Sequence, residues 1–402
     1  MSRLSALLEE LCPDGVEYKK LKEIFNTKNG YTPSKSNESY WENGTIPWFR
    51  MEDIRENGHI LSDSIQHVNL NAIKGELFPA NSIIVATSAT VGEHALITVP
   101  SLANQRFTYL MLKHEYANAF DIKFLFYYCY KLDLWCLAHL NQGSFPSVDM
   151  KQFSQFEIPV PPLAIQNEIV KLLDNFTELT AELTAELALR KKQYEWYCGS
   201  LIGGATFPKR KISDIATFRY GYTTSAATSG DARYIRITDI TDDGKLNPLD
   251  AKYTCISTEN KEYLLKRDDL VMARTGATYG KTLCYNMDTP AIYASFLIKI
   301  QVDETQMLPR FYWHFTRTPE YCGQANRLVT KGGQPQFNTG AIGRIVIPIP
   351  PLETQAKIVS ILDRFDALCH DLTQGLPAEI AARKKQYEYY RDKLLTFPRK
   401  GA

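Results

Sequence analysis

The sequence predicts an α+β protein with two pseudo-repeated α/β domains separated by two long helices, which we expect to run antiparallel and to pair as a coiled coil. Three observations lead to this prediction. The segment "IPVPPLAIQNEIVKLLDNF" at Ile158 returns as "IPIPPLETQAKIVSILDRF" at Ile347, with 11 of 19 positions identical. The segment "RKKQYEWY" at Arg190 returns as "RKKQYEYY" at Arg383. On the C-terminal side of Ile158 and of Ile347, apolar residues recur at three- and four-residue spacing, which is typical of packed helices.

Shorter echoes connect the two halves at a nearly constant offset. The tripeptide "GYT" occurs at Gly30 and at Gly221, and "ATSATVG" at Ala86 matches "ARTGATYG" at Ala273. A period near 190 residues is too long for a solenoid, so it indicates a duplicated domain plus helix. The stretches between the echoes share little, and one scaffold with two different surfaces favours two different specificities.

The order of predicted elements is the same in both halves. In the first half the apolar runs "IPWFR", "SIIVATS", "ALITV" and "FTYLMLKH" are bounded by Gly, Pro, Asn or Asp and predict strands. A helix, "DIKFLFYYCYKLDLWCLAHL", a loop, "NQGSFPSVD", and a strand, "FEIPVPP", come next. The second half repeats this order with the strands "RYIRIT", "DLVMART" and "AIYASFLIKI", the helix "PRFYWHFTRTPEYCGQANRL", the loop "TKGGQPQFN" and the strand "IVIPIPP". Mixed domains of about 150 residues are expected.

The first long helix is predicted to begin at Pro161 and Pro162 and to end at Gly199, a length of roughly 50 Å. Its middle contains a tandem tetrapeptide, "TAELTAEL", from Thr180 to Leu187. The apolar seam consists of Ile165, Ile169, Leu172, Phe176, Leu179, Leu183 and Leu187.

The second long helix starts the same way, with Ile358, Leu362 and Phe365, but then meets Gly375 and Pro377. We expect these two residues to stop and restart it, because proline lacks a backbone donor and clashes with the preceding turn. Two exposed seams would most simply bury their apolar side chains against each other.

The C-terminal sequence "TFPRKGA" resembles "TFPKRKI" from Thr206, where the second half begins. We therefore expect the two ends of the chain to lie close together in a pseudo-two-fold, near-circular molecule. The predicted divisions are a first domain, a first helical region, a second domain and a second, broken helical region, at residues 1–160, 161–204, 205–349 and 350–402.

The composition favours a globular protein without a membrane span, a zinc site or disulfides. The chain has 402 residues, 44% of them apolar, with a net charge of +1. No stretch approaches the roughly 18 apolar residues of a membrane span, so a cytoplasmic protein is expected. Balanced charge is no evidence for nucleic-acid binding, so any DNA ligand would require local positive charge or charge from partners. The eight cysteines form no C-x-x-C pair and are expected to be buried free thiols rather than a zinc site or disulfides.

The sequence contains no motif that identifies an enzyme. "RTGATYGKT" from Arg274 ends like a phosphate loop, but only three residues separate Gly276 from Gly280, and the next residues, "LCYNMD", predict a strand rather than a helix. Neither Pro-Pro pair is preceded by the Asn or Asp of adenine methyltransferases, and no nuclease carboxylate cluster is visible. Arg50 and Arg236 each precede an aspartate by three residues, a spacing that is more often structural than catalytic.

Polar loops are better candidates for a binding surface. They occupy matching positions in both halves and are rich in Ser, Thr, Asn, Gln, Tyr, Lys and Arg, which contact base edges and phosphates. For any one residue an ordinary solvated turn is an equally good interpretation, so only the set as a whole favours a binding surface. The basic helix ends "RKKQYE" are better explained as solvated helix C-termini than as DNA contacts.

These motifs together resemble the DNA-specificity subunit of Type I restriction-modification enzymes. The resemblance rests on "IPVPPL...Q.EIVKLLD.F" and its repeat, on "RKKQYE" twice, on "TPSKSNESYWENGTIPW", and above all on "TAELTAEL", which is similar to the spacer of the type IC subclass. It covers essentially the whole chain. It implies two target-recognition domains alternating with two conserved spacer helices.

The resemblance also implies a function and partners. Such a subunit is not catalytic; it binds double-stranded DNA at a bipartite asymmetric target. It would join two methyltransferase subunits and, through them, two restriction-motor subunits, directing adenine methylation or ATP-dependent cleavage. S-adenosylmethionine, ATP and magnesium would belong to those partners. The alternative is a tandem-domain scaffold that joins proteins without touching DNA.

The base sequence of the target cannot be read from the residues, but candidate contacts can be named. The candidates for DNA binding in the first half are Lys35, Arg50, Thr90, Gln105, Arg106, Gln142 and Ser144. Those in the second half are Tyr222, Thr223, Arg236, Arg274, Thr278, Tyr279, Lys281, Lys331, Gln334 and Gln336. The candidates for helix pairing or partner contact are Leu172, Phe176, Leu179, Leu183, Leu187, Leu362 and Phe365.

Overall fold

The computed structural model divides the chain into two compact units. Unit 1 comprises residues 1–180 and 383–402, and unit 2 comprises residues 181–382. The division falls inside the first long helix, so each unit consists of a globular domain together with the helical segments packed on it. The structure describes residues 3–141, 145–203, 207–330, 332–371 and 373–401.

The described residues of unit 1 form ten strands. They are β1 (Tyr18–Lys20), β2 (Phe25–Asn29), β3 (Ile46–Phe49), β4 (Ile60–Leu61), β5 (His67–Val68), β6 (Ser82–Ala86), β7 (His94–Ile97), β8 (Leu102–Ala103), β9 (Phe107–Leu112) and β10 (Glu157–Pro159). Its helices are α1 (Arg3–Leu11), α2 (Leu21–Ile24), α3 (Met51–Asn57), α4 (Ile122–Ala138), α5 (Met150–Phe153) and the first half of α6 (Leu163–Cys198).

In the part of unit 2 that the structure describes there are nine strands. They are β11 (Lys209–Lys211), β12 (Ala216–Tyr220), β13 (Ala232–Ile235), β14 (Tyr253–Thr254), β15 (Leu270–Ala273), β16 (Thr282–Cys284), β17 (Ala291–Tyr293), β18 (Leu297–Val302) and β19 (Val346–Pro348). Its helices are α7 (Pro309–Phe315), α8 (Pro319–Leu328), α9 (Thr339–Gly343) and α10 (Leu352–His370), followed by α11 (Leu376–Leu394), which continues into unit 1.

The two domains have the same sheet topology, which confirms the predicted duplication. The order β2-β9-β6-β7 in unit 1 matches β12-β18-β15-β16 in unit 2, and unit 1 adds β4 at the edge. The small sheet β5-β3-β8 matches β14-β13-β17, each with one antiparallel and one parallel pair. The pair β1-β10 matches β11-β19. Each repeated Ile-Pro segment is thus the last strand of its domain.

The central strands are buried on both faces. In β15, Leu270 and Met272 pack with the helices, whereas Val271 and Ala273 pack with the small sheet. In β6 the same alternation occurs between two separate clusters. Since successive strand residues point to opposite faces, each domain has three layers: a helix, the main sheet and the small sheet. The apolar runs "SIIVATS" and "DLVMART" contain no polar alternation for this reason.

The helix predicted over 309–328 is in fact two helices. α7 ends at Phe315 and α8 begins at Pro319. Proline at the first position of α8 disfavours helical backbone in the residue before it. That residue, Thr318, caps the new helix instead, because its Oγ1 accepts a hydrogen bond from Tyr321 N at 3.2 Å.

The first long helix, α6, has 36 residues without a break. Its ends are covered: Phe176 stacks on Tyr390 in unit 1, and Tyr197 stacks on Phe365 in unit 2. The middle of α6 is not covered in this way, since no residue between Leu173 and Tyr194 is buried.

The expected burial of the seam of α6 is therefore incomplete in the middle of the helix. Leu179 is exposed, and Leu183 and Leu187 are half-buried. The second helical region explains the difference. α10 ends at His370, and α11 starts only at Leu376 with the small residues of "LPAEIAA". The interruption lies at Gly375, as the sequence predicts.

A buried glutamine explains part of the repeated phrase. Gln166 of α6 and Gln355 of α10 are fully buried. Gln166 Oε1 accepts from Asp121 N at 2.9 Å, and its Nε2 donates to the carbonyl oxygens of Ala119 and Pro161. Gln355 makes the same three bonds, to Leu308 N and to the carbonyls of Gln306 and Pro350. Each glutamine thus fastens a long helix to the start of the domain helix. The joint is stabilising because loss of the glutamine would leave backbone groups unsatisfied, at a cost of about 1–3 kcal/mol for each buried group.

A repeated aspartate forms a second joint about two helical turns further along. In unit 1, Asp174 accepts from Lys123 Nζ at 2.7 Å and Tyr127 Oη at 2.6 Å. In unit 2, Asp363 accepts from Arg310 Nη2 at 2.6 Å and lies 2.8 Å from His314 Nε2. The joint thus has the same position but different partners in the two units.

The repeated tyrosine of "RKKQYE" forms a third joint. It belongs to the C-terminal part of a long helical region, whereas the glutamine and the aspartate belong to the N-terminal part. In unit 2, Tyr194 Oη lies 2.9 Å from His314 Nδ1. Burial lowers the pKa of His314 despite the neighbouring Asp363, so a neutral ring can accept from Tyr194 and donate to Asp363. In unit 1, the corresponding Tyr387 packs with the main core. The lysines beside both tyrosines are exposed, in line with a solvated helix end.

The C-terminal segment packs on unit 1 beside β1. Val16 N donates to Pro398 O at 3.0 Å, and Lys400 N donates to Val16 O at 3.0 Å. Phe397 is buried in the main core of the unit. The predicted proximity of the two ends of the chain is confirmed by these contacts.

All eight cysteines are free thiols. Cys255 and Cys322 are exposed, so the expectation of burial is wrong for these two, which lie in a loop and in α8. Within the described ranges, no three His, Cys, Asp or Glu side chains group as metal ligands. Over the same ranges, no helix has the length and apolarity that crossing a membrane requires.

Candidate nucleic-acid interface

The polar loops of unit 2 lie at one edge of its main sheet, which we call edge 2. In this antiparallel sheet β12 and β15 end where β18 and β16 begin, since Tyr220 pairs with Ile298 and Ala273 with Leu297. The side chains that come after β15 and before β18 are therefore neighbours. Edge 2 consists of Tyr220, Arg274, Thr275, Phe296, Gln334 and Gln336.

Backbone pairing brings three of the sequence candidates together at edge 2. Thr275 forms a bridge with Gln336, and Phe337 N donates to Arg274 O at 2.8 Å. Gln334 is exposed, with its amide near Gly276. One arginine and two glutamines thus share a surface, and these side-chain types make bidentate contacts with guanine and adenine.

Two further candidates, Tyr279 and Lys281, come after the turn that follows Arg274 and line a groove of about 820 Å³, whereas Thr278 lies within the turn. Tyr279 Oη donates to Asn326 Oδ1 at 2.7 Å, and Lys281 is paired with the exposed Asp242. Thr278 Oγ1 donates to Thr275 O at 3.3 Å within the turn. A strand, β16, comes after this turn, which confirms the prediction of a strand rather than a helix at this place. Leu187 and Pro377 line the same groove.

Unit 1 places its loops at the equivalent edge, which we call edge 1. Asn29 pairs with Thr108 and Ala86 with Phe107, so the residues after β2 and β6 adjoin those before β9. Gln105 and Arg106 are exposed there, and Thr32 Oγ1 donates to Gln105 Oε1. Thr90 is half-buried in the loop whose Ser88 bridges to Ser147. Edge 1 consists of Asn29, Thr87, Ser88, Thr90, Gln105, Arg106, Phe145 and Ser147.

A glycine is required where each edge begins. A Cβ at Gly30 would lie 2.3 Å from Ala103 O, and one at Gly221 would lie 2.2 Å from Ala294 O. Each glycine also donates its N–H across the sheet, to Phe107 O or Leu297 O. The repeated "GYT" therefore marks a close approach of two backbones that belongs to the scaffold.

Arg50 and Arg236 occupy equivalent positions, where each backbone N–H donates to the aspartate three residues later, but only the guanidinium of Arg236 is bonded to that aspartate. Asp239 accepts from Arg236 N, Nε and Nη2, and Asp250 O accepts from the same Nη2 at 3.0 Å. Arg50 N donates to Asp53 Oδ2 at 2.6 Å, and its guanidinium lies 5.7 Å from the Trp48 ring. The Arg-x-x-Asp spacing caps a short helix in both units, so these two arginines are not part of either edge.

The remaining candidates are more scattered. Lys35 is exposed beside Trp41 and Gln66. Tyr222 lies just beyond edge 2, where its ring is 5.3 Å from Tyr263, and Thr223 is exposed next to it. Three candidates fall outside the described residues: Gln142, Ser144 and Lys331.

Sequence reasoning missed the aromatic side chains of both edges. Phe145 is 77% exposed, Phe296 is 52% exposed and Tyr220 is 43% exposed. Phe296 and Tyr220 lie together beside Arg274, so they form a shared exposed aromatic surface rather than isolated exposed side chains. The available signal was an aromatic residue close to small or polar ones, Phe145 in "GSFPS", Phe296 in "YASFL" and Tyr220 in "FRYGYT".

Comparison with known proteins gives the class of the chain. The family model described as "Type I restriction modification DNA specificity domain" matches twice, at residues 13–189 and 205–382. These matches cover most of the chain and coincide with its two repeats. The protein belongs to the Type I restriction-modification DNA-specificity family.

Relatives agree over nearly the full length. The chain is 40% identical to the Type I restriction enzyme EcoprrI specificity subunit of Escherichia coli, covering 93% of each chain. It is 29% identical to a putative type I restriction enzyme specificity subunit of Haemophilus influenzae, covering 95% of this chain and 96% of the relative. A solved chain from a structural study of assembly and conformational transition of the type I R-M system has the same fold, with a TM-score of 0.65 at 15% identity, covering 95% and 98%.

These findings define the function at the level of the class. The chain is a sequence-recognising DNA-specificity subunit, and catalysis in this class resides in partner subunits.

Proposed function

We propose that the chain recognises a bipartite, asymmetric target in double-stranded DNA, and that edge 1 and edge 2 each read one half-site. One observation carries the proposal: the two edges lie at equivalent places on the equivalent main sheets of the two units, but they have different side chains. Thr87, Arg106 and Phe145 of edge 1 stand at the positions of Arg274, Phe296 and Gln334. The glutamines and aspartates that join the long helices to the domain helices are repeated in both units, whereas these edge residues are not.

The two edges are suited to reading base edges mainly in the major groove. Arginine and glutamine supply bidentate hydrogen bonds, and phenylalanine supplies apolar contact with the thymine methyl group. Near-neutral overall charge fits a subunit that works inside a larger complex, where partners contribute to the attraction of the phosphates. This function requires the cytoplasm, where the DNA lies.

We also propose that the chain binds two methyltransferase subunits, one on each helix end, and two restriction-motor subunits through them. Each unit exposes one aromatic residue at the same position of the repeated helix end: Trp196 is 64% exposed and Tyr389 is 61% exposed. Both lie next to an exposed pair of lysines. Two copies of one surface suit two copies of one partner. S-adenosylmethionine, ATP and magnesium would be bound by those partners.

The test uses the complex purified from cells that express the chain with its methyltransferase. We expect Trp196→Ala or Tyr389→Ala to reduce the methyltransferase content from two copies to one, and the double variant to lose both, as measured by native mass spectrometry. The matched controls are Leu249→Ala and Leu70→Ala, whose side chains are equally exposed in units 2 and 1 but lie off the helices. Full methyltransferase content in the double variant would refute this surface.

The same purified complex distinguishes DNA recognition from a protein scaffold. A DNA-reading complex should bind its methylated motif with an affinity that falls steeply as salt rises, and should bind a scrambled duplex about 10³-fold or more weakly. A scaffold would show neither behaviour. Equal affinity for both duplexes at every salt concentration would contradict the proposed function.

A further inference from the structure

Arg274 is the most constrained side chain of edge 2. Its Nε donates to Ser295 O at 3.1 Å. Its guanidinium carbon lies 5.1 Å from the centre of the Tyr220 ring and 5.6 Å from that of Phe296. Its backbone is bonded on both sides, because Arg274 N donates to Phe296 O and Arg274 O accepts from Phe337 N. The plane of the guanidinium is therefore set before any ligand binds.

The aromatic neighbours have no evident role in the core. Tyr220 and Phe296 both remain largely exposed, and neither belongs to an apolar cluster of unit 2. Rings within about 6 Å of a guanidinium attract it through their π faces. Their exposure is explained if their purpose is to hold Arg274 at the surface.

The outer end of Arg274 is available to a ligand. Among the residues that the structure describes, its two terminal nitrogens have no hydrogen bond and no carboxylate partner. Two other arginines of unit 2 are different: Arg310 is paired with Asp363, and Arg317 with Asp366. Because Nε is already occupied, Arg274 presents its two terminal N–H groups side by side, which is the geometry that matches guanine O6 and N7.

Unit 1 does not repeat this arrangement. The positions of Tyr220, Arg274 and Phe296 are occupied in unit 1 by Asn29, Thr87 and Arg106. The underlying strands and their register are the same in both units. A group that changes as a set on a constant scaffold is expected for a specificity determinant, whereas a group needed for folding would be repeated like Gln166 and Gln355.

We propose that Arg274 reads a guanine in the half-site of unit 2, and that Tyr220 and Phe296 act as positioning residues that hold its guanidinium plane. This inference rests on the proposed function and assigns one base to one residue. A phosphate contact is the competing role. A phosphate would accept an arginine or a lysine in many orientations and would carry no base preference.

The experiment uses the complex of the full chain with its methyltransferase and maps the methylated motif in cells. We expect Arg274→Lys and Arg274→Gln to make one G·C position of the unit 2 half-site degenerate, with discrimination at that position falling about 10- to 100-fold. The other half-site and the gap should stay unchanged. Phe296→Leu and Tyr220→Leu should lower discrimination at the same position to a smaller extent, which a purely structural role would not produce.

Arg267→Lys is the matched control, because Arg267 is an exposed arginine of the same unit paired with Asp288; its motif should be that of the parent. An unchanged motif in Arg274→Lys and Arg274→Gln would overturn the inference. So would a uniform loss of affinity for all duplexes, which would assign Arg274 to a phosphate. Circular dichroism and the thermal midpoint identify a variant that fails to fold. If the Arg274 variants fail to fold, the motifs of Phe296→Leu and Tyr220→Leu test the inference instead, and unchanged discrimination in both would overturn it. If the parent complex methylates no specific motif, the proposed function itself fails.

Discussion

An additional Thr-Ala-Glu-Leu unit inserted after Leu187 should widen the unspecified gap of the DNA target by one or two base pairs and leave both half-sites unchanged. Four helical residues add about 6 Å of length and rotate the C-terminal part of α6 by roughly 40° beyond one turn. One base pair rises about 3.4 Å. Methylation mapping in cells that carry the insertion measures the gap directly.

The structure explains why α6 should tolerate the insertion. No residue from Thr180 to Leu187 is buried, so a further unit displaces no core. The inserted glutamate stands four residues before Arg190, as Glu186 does now at 3.3 Å, which preserves this exposed helical pair. An insertion of Gly-Ser-Gly-Ser at the same place has the same number of residues but interrupts the helix, and should abolish methylation. An unchanged gap would show that α6 does not set the spacing.

Asp366→Asn should strongly destabilise unit 2, with a loss of about 3–5 kcal/mol in the free energy of unfolding. Asp366 is buried and accepts from Arg317 Nη1 at 2.6 Å, and its other oxygen lies 3.0 Å from Lys245 Nζ. The neutral amide would leave the largely buried Arg317 without a counter-charge, and an unpaired buried charge is costly. Urea denaturation of the full chain, followed through the transition of unit 2, gives the magnitude.

The same helix provides a matched control, and pH provides a second test. Glu353→Gln removes a pair with Lys357 that is almost fully exposed and should cost about 0.5 kcal/mol or less.

Burial alone would raise the pKa of Asp366, but His370, Arg317 and Lys245 together hold it well below its ordinary value. A depressed carboxylate pKa stabilises the fold above the unfolded pKa of about 3.9, and this stabilisation is lost on further acidification. The difference between Asp366→Asn and the parent should therefore shrink below about pH 4; a difference that is small at pH 7 would contradict the ion-pair account.

Much of the fold could be predicted because duplication makes the scaffold visible. Residues kept in both halves, such as Gly30 and Gly221, proved to be parts of the frame, and the order of strands matched the order of apolar runs. The roles of Gln166 and Asp174 could not be predicted. Polar residues at helical spacing look like a solvated face, and only the domain helix, which lies more than 40 residues away along the chain, shows that they are joints.

The candidate interface was less predictable than the fold. Arg274, Gln334 and Gln336 were identified as polar loop residues, but Arg236 has the same appearance in the sequence and turned out to be held by Asp239 and Asp250. The difference depends on which carboxylates fold beside each arginine. Phe296 and Tyr220 were missed because an aromatic residue next to a strand normally belongs to the core.

The central claim is that each unit reads its own half-site on a common scaffold. The most direct measurement replaces residues 209–344 with the corresponding domain of a relative that has a different target, keeps both helices, and maps the methylated motif in cells. The account predicts a motif in which one half-site is that of the donor, while the other half-site and the gap are those of this protein. A motif altered in both half-sites, or not altered at all, would contradict it.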